Sequence, residues 1–191
     1  MSLTVKDYKK LWNAKIADAR ANEVIRDFED AGVIPVEIRA SSTGNRLEGY
    51  IARFNSPTVI GGEFVERLQP GCFRSSLSNG TDVVCLKNHD DNQPLGRTSA
   101  GTLRLSEDSQ GLAFSLNLPN TSFANDLRES VKRGDLKGCS FGFRCLDDSW
   151  DVDSRGNATR TIKDLELFEV SVGVTFPAYA STSSSLRGKA I

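Results

Sequence analysis

A mainly β chain with a few inserted helices is the fold class this sequence predicts, and three observations carry the prediction. From Val33 onward, apolar and polar residues alternate with a period of two in one stretch after another, the pattern of half-buried strands. Polar and glycine-rich clusters separate these stretches, while helical spacing is confined to short segments. Strands and helices do not alternate regularly, which argues against a doubly wound sheet and for a mostly antiparallel barrel or sandwich with helical insertions. The 191 residues, 38% of them hydrophobic, suit one ordinary globular domain with room for an appendage.

The elements follow in order. Residues 1–32 form an N-terminal amphipathic segment: Tyr8, Leu11, Trp12 and Ile16 stand at helical spacing, and Val24, Ile25 and Phe28 continue an apolar face. Ser2 or Thr4 can cap its start and Gly32 its end, giving one or two helices. These pack on the chain's own domain or dock on a partner. VEIRA, the polar SSTGN and RLEGYIARFN read as a hairpin ending at Phe54. Pro70 opens a short helix with Phe73 and Leu77, closed by Gly80. TDVVCLKNHD is a strand. GTLRLSEDSQGLAFSLNLP is a pair of strands joined by a polar turn at Glu107–Gly111. Asn120 or Thr121 caps a helix in which Phe123, Leu127 and Val131 recur every four residues, stopped at Gly134. LKGCSFGFRCLDDSW and RTIKDLELFEVSVGVTF are the last strands. Residues 33–180 thus make the principal domain, and 181–191 a flexible Ser/Thr-rich tail.

Composition narrows the function. Lys plus Arg (24) nearly cancel Asp plus Glu (25), leaving a net charge of −1 and no general attraction to nucleic acid or anionic membrane. No stretch has the apolar length of a membrane span, and the polar N-terminus is not a secretory signal. Cys72, Cys85, Cys139 and Cys145 show no C-x-x-C spacing, and one histidine cannot complete a Cys/His zinc set. Buried reduced thiols are expected, with no metal and no cofactor.

His89, the single histidine, lies in VVCLKNHDDNQPLGR. It reads either as a turn residue bonded to a backbone carbonyl or as a general base that takes a proton at neutral pH. Asp90 and Asp91 either raise its basicity or help make the turn. In KGCSFGF, alternation puts Cys139, Phe141, Phe143 and Cys145 on a core face and Ser140, Gly142 and Arg144 on the other. Ser140 is therefore either an ordinary strand serine or a nucleophile, with flanking glycines that admit another backbone. Cys139 is the rival nucleophile but shares the core face. In LELFEVSVGVTFPAY, Phe168, Val170, Val172 and Val174 form the apolar face, leaving Glu169 and Ser171 opposite. Glu169 either pairs with a cation or accepts an imidazole N–H and fixes its tautomer. Glu166 is the alternative acid, less well aimed because it shares parity with Phe168.

Five blocks, in order, carry a resemblance to a known family. PGCFRSSL resembles a P-G-A-F-x-x-S-L segment and LKNHDDNQPLGR an N-H-D-x-x-x-P-L-G-R block. GTLRLSEDSQGLAFSLNLPNT, VKRGDLKGCSFGF and LFEVSVGVTFPAY match later blocks. The family is the prohead (capsid maturation) serine proteases of tailed phages, and the resemblance runs from about Val36 to Arg187. It implies a small β-barrel ringed by helices, like that of the herpesvirus assemblin proteases. It implies a serine endopeptidase inside the assembling procapsid, in the host bacterial cytoplasm. There it removes scaffolding sequence, often a segment of the major capsid protein, and digests itself; the portal is a further candidate partner, and a homodimer or higher oligomer is expected by analogy. By position, the family's histidine falls on His89 and its serine on Ser140. The herpesvirus relatives use a second histidine as third member; this chain has none, so Glu169 becomes the candidate. Oxyanion donors are sought at Arg97 and the backbone around Gly96. Two departures stand out: residues before Val36 lie outside the match, and Cys72 replaces a frequent alanine. The competing readings are an inactive protease fold serving as a scaffold or assembly module, and a thiol- or metal-based protein using the four cysteines.

Overall fold

The computed structural model describes residues 4–21, 29–31, 39–40, 44–54, 56–60 and 62–175. In chain order the elements are α1 (Val5–Ala21), β1 (Glu29–Ala31), β2 (Arg39–Ala40), β3 (Arg46–Arg53), β4 (Thr58–Ile60) and β5 (Phe64–Leu68). Then come α2 (Arg74–Ser78), β6 (Val84–Lys87), β7 (Asp90–Arg97), β8 (Leu103–Glu107), β9 (Gly111–Asn117), α3 (Ser122–Arg133), β10 (Gly138–Val152) and β11 (Ala158–Val174).

The expected mainly β architecture with inserted helices is what these residues adopt. One sheet of seven strands runs β1-β10-β11-β5-β4, with β6 and then β7 added beside β11; the other, of four strands, runs β2-β3-β9-β8. All pairings are antiparallel except β11 with β5 and with β6. Among the described residues, hydrogen bonding closes neither sheet into a ring, so the expected barrel takes the form of two sheets over one core. That core joins Leu47 and Ile51 of β3 and Phe114 and Leu116 of β9 to Phe141 and Phe143 of β10 and Val170 and Val172 of β11. Phe73 bridges to it, its ring meeting Phe141 edge-on at 5.5 Å. Burying such side chains stabilises the fold by about 1.5–3 kcal/mol each.

The long β10–β11 hairpin is the spine. β5 pairs with the first part of β11, at Ala158–Ile162, and β6 with the last part, at Glu169–Val172. α2 fills the interval between them. There the Leu165 N–H donates to the Cys72 carbonyl (3.2 Å) and the Leu167 N–H to the buried Ser76 hydroxyl (2.9 Å). Backbone donors that no strand reaches are thus satisfied. α2 begins only after Phe73, so Pro70 precedes it by a turn rather than opening it.

α3 ends as its sequence predicts. Gly134 adopts φ 81°, its N–H donates to Val131, and Asp135 N–H donates to Ser130, a Schellman stop that satisfies the last carbonyls. The capping residue at the start of α1 is Thr4: its N–H and hydroxyl both donate to Asp7, at 2.9 and 2.6 Å. α1 packs on its own domain. Tyr8 stacks on Trp150 at 6.4 Å and donates to the Gly156 carbonyl, and Lys9 pairs with Asp148. Behind this contact Arg160, 2% exposed, bonds both Asp148 (2.8 Å) and Glu66 (3.2 Å).

Three local expectations change. Glu29–Ala31, inside the segment read as helical, is a strand paired with Phe141–Phe143 of β10. NQPLGR, assigned to no element from the sequence, belongs to strand β7; Pro94 is tolerated because β7 is an edge strand bonded to β6 alone. The register of β11 shifts between its Leu167 and Glu169 partners on β10, making Phe168 an extra residue. Phe168 therefore leaves the core face, which Leu167 takes, and its ring lies beneath the Arg144 guanidinium at 5.4 Å. The expectations for Val24, Ile25, Phe28, Gly32, residues 36–38 and the tail fall outside the described residues.

Candidate active site

β6 and β7 are joined by the two residues Asn88 and His89, with φ of 50° and 60°. Positive φ at both central positions is the signature of the type I′ hairpin turn, where Asn is favoured first and Gly second. His89 holds the place where glycine fits best, in a backbone region costing an L-residue roughly 1–2 kcal/mol. The turn lies against β11: Asn88 N–H donates to the Val172 carbonyl (3.1 Å) and His89 N–H to Ser171 Oγ (2.9 Å).

This anchoring brings His89 to Glu169. Nδ1 of the ring lies 2.5 Å from Glu169 Oε1, with side-chain exposures of 32% and 6%. The second carboxylate oxygen, Oε2, accepts from Ser171 Oγ at 2.9 Å. Each oxygen of a nearly buried carboxylate thus has a partner, which offsets the cost of removing the charge from water. With Nδ1–H donating to Glu169, the lone pair of the neutral ring lies on Nε2, the atom able to take a proton.

Ser140 stands directly opposite Ser171 on the adjoining strand, and Gly142 opposite Glu169. Such cross-strand partners keep Cβ atoms about 4.5–5.5 Å apart. Ser140 lies off the aromatic core as expected, but it is fully buried rather than open to solvent, as is Ser171 opposite it. Cys139, the rival nucleophile, lies opposite Val172 on the core side. It is fully buried, and burial pushes its thiol well above the usual range, which keeps it protonated and unreactive.

The other candidates go elsewhere. Glu166 bonds Arg144. Asp90 accepts from Asn92 N–H and the Gln93 amide, and its carboxyl is held below the ordinary range chiefly by Gln93; it makes the turn. Arg97 ends β7 opposite Val84, pairs with Asp82 at 3.5 Å, and stands seven residues along the strand from Asp90. Cys72 and Cys85 are buried, and no cluster of three or more potential metal-binding side chains occurs among the described residues. Ser171 had no assigned part in the sequence; its only signal was its place two residues after Glu169 on one strand face.

A histidine ring bonded to a buried carboxylate is the base-orienting half of a Ser–His–acid arrangement, and Ser140 lies one strand over, opposite Ser171. Comparison with known proteins agrees in class: a family model of the caudovirus prohead serine proteases matches residues 34–191, and the chain belongs to that family. The prohead protease of Escherichia phage T5 is 35% identical over 103 residues, covering 54% of this chain and 45% of that protein. This chain therefore aligns with less than half of that relative's length. No solved structure matches.

Proposed function

We propose that this chain is a serine endopeptidase that cleaves scaffolding or capsid protein, and itself, during procapsid maturation. The observation that carries this reading is the contact between His89 Nδ1 and Glu169 Oε1. Nε2 of His89 takes the Ser140 hydroxyl proton as Oγ attacks the peptide carbonyl. The same proton passes to the leaving amine, giving an acyl-enzyme. His89 then takes a proton from water, whose hydroxide releases the new carboxyl end, and returns it to Ser140. Glu169 holds the tautomer and stabilises the imidazolium. An extended substrate pairs with a strand edge, which suits cleavage within disordered scaffold segments.

In this reading residues 33–180 are the protease domain, 1–32 an N-terminal amphipathic segment and 181–191 a flexible tail. The two sheets represent an opened form of the assemblin-type barrel, a reading supported by their shared core. An experimental structure whose strand order cannot be superposed on an assemblin protease would refute that likeness. The site of action is the procapsid within the host cytoplasm, with the major capsid protein as substrate and the portal as a further partner. Oligomerisation through α1 is tested by deleting residues 1–21, which leaves β1 in its sheet: unchanged light scattering and activity would reject it.

The deciding experiment is co-expression with the capsid protein, read by mass spectrometry. Cleavage by the parent and none by Ser140→Ala is the expected result. Full cleavage by Ser140→Ala would remove the serine mechanism, and no cleavage by either protein would favour an assembly module.

A further inference from the structure

The strongest contact set that the proposed mechanism leaves unused is centred on Ser171. Its hydroxyl is fully buried. It donates to Glu169 Oε2 at 2.9 Å and accepts the His89 backbone N–H at 2.9 Å. One oxygen thus holds both halves of the His–Glu pair, by two bonds that do not pass through the ring. The first bond stops rotation of the carboxylate about its terminal torsion, which is otherwise broad. The second fixes the backbone of a residue in the left-handed region, the hinge from which the imidazole projects.

We infer that Ser171 is a positioning residue that locks the Glu169 carboxylate and the His89 turn together, so that Nδ1 carries the proton and Nε2 stays the acceptor. It is not a second nucleophile: its proton is committed to Glu169 and its lone pair to His89 N–H. Asn88 adds a backbone bond to the Val172 carbonyl, and Ser171 adds the side-chain bonds described above. The inference rests on reading His89, Glu169 and Ser140 as the catalytic set.

Its test needs no cleavage, because the chain has one histidine. Untagged protein carrying Ser140→Ala gives a single imidazole in long-range ¹H–¹⁵N correlation spectra. The expected parent spectrum is the Nδ1–H tautomer, with a slowly exchanging, strongly downfield Nδ1 proton. Adding Ser171→Ala is expected to broaden or lose that proton and mix the tautomers, with the backbone amide spectrum otherwise intact. An unchanged tautomer and Nδ1 proton in a folded Ser171→Ala protein would overturn the inference. Should Ser171→Ala not fold, Ser171→Cys keeps the volume but donates weakly, and it carries the same expected and opposing results. With purified capsid protein as substrate, Ser171→Ala in the otherwise unaltered chain is expected to lower kcat about 10-fold with KM within about threefold. The acid limb of the pH profile moves to lower pH, because a less supported imidazolium is less basic. If Ser140→Ala still cleaves while the spectra change as expected, the protease mechanism fails and the Ser171 lock stands.

Discussion

Replacing Glu169 by glutamine keeps the shape of the side chain and removes its charge. Two orientations are open to the new amide. If its oxygen faces Ser171, the NH₂ faces His89 Nδ1, and the ring must protonate Nε2 instead. Nε2 can then no longer accept the Ser140 proton. If its oxygen faces His89, the NH₂ meets a Ser171 hydroxyl that already accepts the His89 N–H at 2.9 Å. The hydroxyl proton then has lost its carboxylate acceptor, and the imidazolium has no counter-charge. The corresponding acid-to-amide change in other serine proteases lowers kcat by about 10,000-fold. For Glu169→Gln we expect a loss of about 1,000- to 10,000-fold, or roughly 4–5.5 kcal/mol of barrier, with the fold retained. The assay is the initial rate of capsid-protein cleavage by purified enzyme, with thermal unfolding as the control. A folded Glu169→Gln enzyme within about tenfold of the parent's kcat would refute the orientation argument.

Other substitutions test separate parts of the argument. His89→Ala is expected to abolish cleavage while leaving the fold largely intact, and a folded variant that still cleaves would overturn the base assignment. His89→Gly should be equally inactive but more stable than His89→Ala by about 1 kcal/mol in urea unfolding, because its backbone sits at φ 60°. Cys139→Ala should cleave like the parent at a stability cost of about 1 kcal/mol; loss of activity in a folded protein would reinstate the thiol. Gly173 has φ 68°, and an added Cβ would sit 2.4 Å from Cδ1 of the buried Leu127. Gly173→Ala should therefore cost roughly 2–5 kcal/mol, and an unchanged urea midpoint would contradict that packing.

Much of this was legible in the residues, for identifiable reasons. The β8–β9 turn, the α3 stop at Gly134 and the β10–β11 hairpin all follow from local signals: alternation, turn chemistry and a left-handed glycine. Parity placed Ser140, Glu169 and Ser171 off the core, because each lies on a strand whose other face is apolar. Parity failed at Phe168, since the bulge makes it an extra residue out of step with Val170, Val172 and Val174, and a bulge leaves no mark in composition. β7 has no alternating apolar pattern to announce it, and its Pro94 is tolerated only because the strand is at an edge. The burial of Ser140 was also missed: alternation names the face a residue is on, but not what covers that face. Ser171 carried no signal of its own, since a serine on a strand is ordinary until its partners are known.

The contact between His89 and Glu169 spans 80 positions of the chain, and that between His89 and Ser171 spans 82. Neither can form before β11 (Ala158–Val174) has been synthesised, since the acid and its lock lie on that strand. Closing so long a loop precedes any gain from the contacts it permits. Under the proposed mechanism, the His–Glu pair therefore waits for β11 to dock. A chain lacking β11 lacks both Glu169 and Ser171, the partners of His89 described above. If these residues are the catalytic set, topology alone would delay the onset of activity until β11 is in the sheet.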